Sequence, residues 1–325
     1  MTTIAVTGAS GFCGSYVARA AAVRGAEVRC VGRRPGPVGR HLRWDAASGE
    51  VPDLGGADVV VHCAAAVGDP AAGSAAEAAM RAVNVTGTAR LLEAAAGRPV
   101  VWVSSASVYA PGPGRARIRE EHPVRAQLNA YGRTKAAGEA LALAAGAVVL
   151  RPRAVYGVGD PHLVPRLLGR VRRGLLLLPG RDVQLSLTAV ENLADACLAA
   201  GDDAWPPGAY NIADPVPYRR DEAVRTVLAA HGVHARVEHL PVPLARAAGA
   251  AAEHLWRLHP WAEPPLTRYA VDQLAHGVVL DVTRARRRGW TAPRTLADYA
   301  RAVASVVEGT PSARPPRRRR GRGNR

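Results

Sequence analysis

The sequence predicts an α/β protein: a doubly wound parallel sheet covered by helices on both faces, followed by a smaller, irregular lobe. Three observations predict it. Short apolar runs alternate with longer alanine-rich helical patterns through the first half; a glycine-rich turn stands at the first run-to-helix junction; and after Arg151 proline-rich turns break the rhythm. Strand, helix, strand in repetition is the sequence form of a parallel sheet with crossover helices.

In chain order, residues 3–7 are apolar enough for a buried strand, and 14–24 carry a helical pattern. Residues 27–31 and 58–62 read as further strands, 75–96 as helical, 99–104 as a strand, 131–145 as a helix and 148–151 as a strand. Beyond them Pro152, Pro161, Pro165, Pro206, Pro207, Pro241, Pro264 and Pro265 punctuate scattered helices and a few strands, as expected of a lobe built by late insertions.

At 325 residues, 48% hydrophobic and 22% charged, the chain has the composition of a globular protein with a large core, which excludes a disordered one. No apolar stretch approaches the roughly 18 residues of a membrane helix. The N-terminus runs at once from Ile4-Ala5-Val6 into the glycine turn without the pattern of a signal peptide, so a cytoplasmic protein is expected. Cys13, Cys30, Cys63 and Cys197 have no ligand spacing and are expected as reduced thiols. His231, His234 and His239 are unevenly spaced with no cysteine beside them, and no metal site is expected. His62 ends an apolar run and reads as a packed strand-end residue. The net charge of +16 is concentrated partly in residues 309–325, an arginine-rich tail with few apolar residues that is expected to be disordered. No nucleic-acid-binding signature accompanies it, so nucleic acid is not expected as a partner.

Thr7-Gly8-Ala9-Ser10-Gly11-Phe12-Cys13-Gly14 spaces three glycines by three, between a strand and a helix. Gly8 permits the tight turn, Gly11 lets backbone approach a pyrophosphate, and Gly14 allows close helix–strand packing. The helix N-terminus adds free amides and a partial positive charge. This is the phosphate loop of a Rossmann-type dinucleotide site. The end of the second strand selects the cofactor. An acid there would hold a ribose 2′-hydroxyl, but this chain has Gly32 followed by Arg33. A guanidinium can grip a 2′-phosphate bidentately, so NADP is favoured over NAD, with a solvated turn arginine as the open alternative.

All but one of the 43 basic residues are arginines; the exception, Lys135, stands four residues after Tyr131 at the start of a helix. That spacing puts phenol and ammonium on one helix face. A cation near the phenol is expected to lower its pKa and make it a usable acid or base for hydroxyl–carbonyl interconversion. Upstream, the run 100–103 ends in Ser104, Ser105 and Ser107, hydroxyls on the rim where open α/β sheets bind ligands.

With these motifs, together with His62-Cys63-Ala64-Ala65, Asn84-Val85-Thr86-Gly87-Thr88 and Arg151-Pro152-Arg153-Ala154-Val155-Tyr156-Gly157, the chain resembles an extended short-chain dehydrogenase/reductase of the NAD-dependent epimerase/dehydratase kind over residues 1–307. The resemblance implies Tyr131 as proton donor or acceptor, Lys135 as the residue holding the nicotinamide ribose and tuning the phenol, Ser105 as the hydroxyl orienting the substrate oxygen, and Asn84 as a helix residue of the catalytic site. Gly8, Ser10, Gly11, Phe12, Cys13 and Gly14 are expected to contact the cofactor, with Arg33, Asp45 at the adenine and Ala64 along its course. Phe12 stands where the family commonly has it; Cys13 departs from the usual aliphatic. It further implies a homodimer through helices 84–96 and 131–145.

The expected organisation is a cofactor domain over 1–155, to which 181–214 return, and a substrate-binding lobe from 156–180 and 215–308. Neither the asparagine nor the arginine that serves a nucleotide-sugar diphosphate is present in the segments 150–154 and 185–192, and Ala106-Ser107 replaces a dehydratase's Asp-Glu pair. The runs 185–195, 265–269 and 280–285 resemble the 3β-hydroxysteroid dehydrogenase-like branch, which implies a small apolar alcohol or ketone; residues 175–178 and 255–258 are candidate pocket walls. The expected activity is NAD(P)-dependent interconversion of a secondary alcohol and a ketone. A nucleotide-sugar epimerase with tightly bound NAD and a non-catalytic NADP-sensing regulator are the alternatives.

Overall fold

β-Branched runs and alanine-rich amphipathic stretches fold where their periodicities point. In the computed structural model, which describes residues 1–202, 205–256 and 266–308, the first half forms β1 (Thr3–Thr7), α1 (Phe12–Val23), β2 (Glu27–Gly32), β3 (Arg40–Arg43), β4 (Val59–His62), α2 (Ala75–Arg81), α3 (Thr88–Ala95), β5 (Val100–Val103), α4 (Ala130–Ala144) and β6 (Val148–Pro152). The second half adds β7 (Val155–Tyr156), α5 (Leu163–Leu168), β8 (Leu175–Pro179), β9 (Gln184–Leu185), β10 (Thr188–Ala189), α6 (Val190–Asp202), β11 (Gly208–Ile212), β12 (Tyr218–Arg219), α7 (Arg220–Ala230), β13 (Arg236–Leu240), α8 (Val242–Trp256), α9 (Arg268–Ala275), α10 (Thr283–Arg286) and α11 (Leu296–Glu308).

Among the described residues the central sheet has seven strands in the order β11-β6-β5-β4-β1-β2-β3, every neighbouring pair parallel. Every residue of β4 and β6 is buried, as helices on both faces require. Ile4 and Val6 of β1 pack into a core with Val17, Ala18 and Leu193 on one face, while the intervening Ala5 joins Val31, Leu91 and Trp102 on the other. The strand order reverses between β1 and β4, and such a reversal opens a crevice at the strands' C-terminal ends. The remaining short strands pair as β10 with β7, β12 with β9 and β13 with β8; with α5, α7, α8, α9 and α11 they carry smaller cores of their own.

Three elements differ from the sequence reading. β3 was not anticipated, because only Leu42 is buried in a run otherwise made of Arg40, His41 and Arg43 at the sheet edge. The helical stretch expected over 75–96 has a break in its winding: α2 and α3 are joined by a π-helical segment, Ala82–Gly87, and the chain leaves α3 at Ala96, in the left-handed region at φ 49°. An inserted residue of this kind re-aims side chains, here Asn84. α1 starts two residues before the expected Gly14, with Gly11 as its N-cap. The arginine-rich tail lies outside the described residues, as do 257–258 of the pocket wall expected at 255–258; Leu255, on α8, is exposed rather than part of a wall. Among the described residues no helix is long and apolar enough to cross a membrane.

Candidate active site

The crevice is a cavity of about 750 Å³ running from the glycine loop and the ends of β2, β4, β5 and β6 to α5, β8, α7 and α9. At its cofactor end, Gly8 turns the chain at φ +66°, and its amide donates to the Val31 carbonyl of β2 at 3.1 Å. A Cβ on Gly14 would stand 2.3 Å from the Gly8 carbonyl oxygen, which no side chain tolerates, so the helix approaches the loop as closely as the glycine spacing demands. The first amides of α1 have no acceptor within the helix, and its first turn holds no acid. This cradle fits a dinucleotide pyrophosphate. Gly8, Ser10, Gly11, Phe12, Cys13, Gly14, Arg33, Asp45 and Ala64 all line the cavity. Arg33 is exposed there; Asp45 accepts the Ala47 amide at 3.0 Å.

The proton-handling residues converge from β5 and α4. Asn129 caps α4 by accepting the Gly132 amide at 2.9 Å, and a Cβ on Gly132 would stand 2.8 Å from the Ser107 carbonyl. The helix start thus lies against the serine loop, where the Ser105 hydroxyl acts on the Tyr131 phenol and favours its ionised form; both side chains line the cavity. Ser105 also accepts the Ser107 amide at 3.2 Å, which fixes its side chain. Lys135 is buried, its Nζ donating to the Val103 carbonyl at 2.7 Å and lying 3.7 Å from the centroid of the Trp102 ring. Burial pulls its ammonium down to about 7. The expected lowering of the Tyr131 pKa by Lys135 does not hold. Burial, helped by Tyr269 and Cys13, pushes the phenol well above its ordinary value, and only the Ser105 hydroxyl pulls the other way. The physical reason is that the ammonium is turned onto Val103 and Trp102.

Asn84, read as catalytic, is not among the residues lining the cavity. Its side chain accepts the Ala66 amide at 2.8 Å and donates to the Ala66 carbonyl and to Thr134 Oγ1, both at 3.0 Å. It therefore ties the segment after β4 to α4, one residue before Lys135: a positioning residue. His62 is a packed strand-end residue, with Nδ1 2.6 Å from Thr7 Oγ1 and its ring stacked on Trp102; burial, with a smaller contribution from Lys135, holds its pKa down at about 3. Beneath Ser104, Glu139 accepts that serine's hydroxyl and pairs with Arg151, both at 2.5 Å. Arg151 also donates to the Tyr109 hydroxyl at 3.0 Å. This buried network holds the serine loop from below.

At the far end, Leu176 and Leu178 of β8 line the cavity with Leu185, Leu187, Val224 and Val227. Of the four leucines expected there, Leu175 and Leu177 point outward, as strand alternation requires. Sequence reasoning missed Trp44, Cys63, Arg153, Tyr269 and Gln273, all on the cavity wall. Arg153 was legible only as a motif member, because nothing in a sequence so rich in arginine separates a buried guanidinium from a solvated one.

A glycine cradle at a parallel sheet's reversal point, facing a Ser-Tyr-Lys set, defines an NAD(P)-dependent dehydrogenase/reductase. The chain belongs to the NAD dependent epimerase/dehydratase family, whose model matches residues 4–213. It is 31% identical over 306 residues to a 4-hydroxy-2-methyl-3-oxo-4-farnesyl-3,4-dihydroquinoline-1-oxide ketoreductase of Stigmatella aurantiaca, covering 87% of this chain and 89% of that one. A 2-alkyl-3-oxoalkanoate reductase of Shewanella oneidensis is 30% identical over 318 residues, covering 87% and 80%. Among solved structures, MoeE5 in complex with UDP-glucuronic acid and NAD superposes with a TM-score of 0.70 at 25% identity, covering 95% of this chain and 99% of that one.

Proposed function

We propose that the protein reduces a ketone on a largely apolar body to a secondary alcohol, with NADPH as preferred reductant. The observation that carries this reading is the convergence of Ser105, Tyr131 and Lys135 on one cavity whose other end is walled by Leu176, Leu178, Leu185 and Leu187. Both relatives are named as reductases of oxo compounds, which supports reduction over epimerisation. When bound, the reduced nicotinamide supplies the hydride. Tyr131, whose raised pKa keeps it protonated, holds the proton for the substrate oxygen. Ser105 donates a hydrogen bond to that oxygen as negative charge develops on it. Lys135 would hold the ribose hydroxyls, and Arg33, with no acid at Gly32 to repel a phosphate, would hold the 2′-phosphate; both line the cavity. A cytoplasmic homodimer through residues 84–96 and 131–145 is part of the same proposal.

Loss of the reduced-nicotinamide absorbance, followed over a panel of aliphatic and polycyclic ketones, tests it. We expect net, stoichiometric consumption with at least one apolar ketone and faster reaction with NADPH than with NADH. Interconversion of sugar epimers with no net change in absorbance would replace this reading with the epimerase one.

A further inference from the structure

Arg153 is a buried cation without an anion. It follows β6 directly, is 6% exposed, and lines the cavity. A guanidinium has five N–H donors. Nη1 donates to the Ser186 carbonyl at 2.8 Å and Nη2 to the Gln273 carbonyl at 3.0 Å, while the buried Nε has no hydrogen-bond partner. No carboxylate among the described residues hydrogen-bonds it. Asp272, which favours its charge through space, is itself engaged by Arg115 at 2.7 Å and by the Gly112 amide at 3.0 Å. The three other buried arginines among the described residues each have a carboxylate: Arg115 has Asp272, Arg220 has Asp221 and the carbonyls of Pro179, Gly180 and Leu274, and Arg151 has Glu139. Burial draws the Arg153 pKa down to about 10, with Tyr269 opposing, so the group stays cationic at neutral pH.

A buried charge that only neutral carbonyls hold carries a desolvation cost that an anionic ligand would offset. The sheet brings this group toward the reacting end. Val103 of β5 is paired with Leu150 of β6. Ser105 follows the end of β5 and Arg153 the end of β6, the adjacent strand, and both line the same cavity. Tyr269 links the two electrostatically, acting on both the Tyr131 phenol and the Arg153 guanidinium. Resting on the ketone-reductase reading above, we propose that Arg153 binds a carboxylate of the substrate, making the substrate an oxo acid with its apolar chain along the leucine wall. One guanidinium matches a monoanion charge for charge, and its planar fork matches a carboxylate's two oxygens.

Binding is measured first, without turnover: calorimetric titration of the NADP-loaded enzyme with decanoate and with decanamide. The carboxylate should bind roughly 100-fold more tightly, the range of a charge-assisted bidentate contact, and Arg153→Gln should erase that preference while Arg153→Lys restores part of it. Equal binding of acid and amide by the wild type, or binding of neither, overturns the proposal whether or not any ketone is reduced. Kinetics follow with 3-oxodecanoate and its methyl ester. The wild type should favour the acid, and Arg153→Gln should raise KM for the acid about 100-fold while leaving KM and kcat for the ester near wild type. A variant that loses kcat on both alike, with its melting point lowered, would show Arg153 to be structural only. Reduction of neither compound, alongside carboxylate-selective binding, would sink the reductase reading and leave the anion site standing.

Discussion

The two ends of the cavity are built differently. The cofactor end is made of backbone: Gly8, Gly11, Gly14 and the first amides of α1, contributed by one short segment of chain. The substrate end is made of side chains, Arg153, Leu178, Val224 and Tyr269, from four elements spread over more than a hundred residues. A backbone site needs only that side chains stay away, so it tolerates no added atom. A side-chain site is adjustable one residue at a time, which is how one fold accommodates many substrates.

The sharpest way to separate chemistry from binding is Tyr131→Phe. Removing the positioned proton donor should lower kcat by roughly 10²–10⁴-fold while the Kd for NADP stays within a factor of about two. Stopped-flow and fluorescence titration would show this, and retention of full turnover would break the assigned mechanism. Next in size is Gly14→Ala, whose added Cβ meets a backbone oxygen at 2.3 Å. Cofactor Kd should rise about 100-fold or more, because backbone has to shift where amides bind phosphate. Unchanged affinity would undo the contrast between the two ends. Arg33→Ala is smaller and selective: a charge-assisted contact at an exposed site should be worth roughly tenfold in NADP affinity, with NAD affinity unaltered. Equal effects on both would refute the 2′-phosphate assignment.

The smallest effect concerns acid stability. His62 titrates at about 3 in the folded protein, against 6.5 for the free side chain. Below pH 6.5 the unfolded chain therefore binds a proton that the folded chain refuses, and this group lowers stability as pH falls from 6.5 to 3. Melting points of wild type and His62→Gln between pH 7 and 4 should converge on acidification, the wild type losing more. Parallel curves would mean that the imidazole takes up its proton without unfolding.

Much of the cofactor end was legible because its rule is local. A glycine triplet at a strand–helix junction and a tyrosine four residues before the only lysine are patterns within one element. Lys135 stood out only because every other basic residue is arginine. The same bias hid Arg153, whose role depends on carbonyls at Ser186 and Gln273, far away in sequence. Asn84 shows a second limit. Its motif was visible, but the π-helical turn that aims it at Ala66 and Thr134, away from the cavity, follows from packing between elements. β3 escaped notice because an edge strand with one buried residue has almost no apolar signature.

The place of β11 beside β6 also has a mechanical side. After β6 the chain leaves the sheet, comes back through α6, which packs on α1, pairs five residues of β11 with β6, and leaves again. The second half of the chain is thus moored to the sheet by several crossings. A body hung on one strap swings freely; one moored in this way cannot turn about a single hinge without tearing strand pairs at 208–212. Any widening of the cavity would then fall to small displacements of α5, α7 and α9, the helices that line it, against one another.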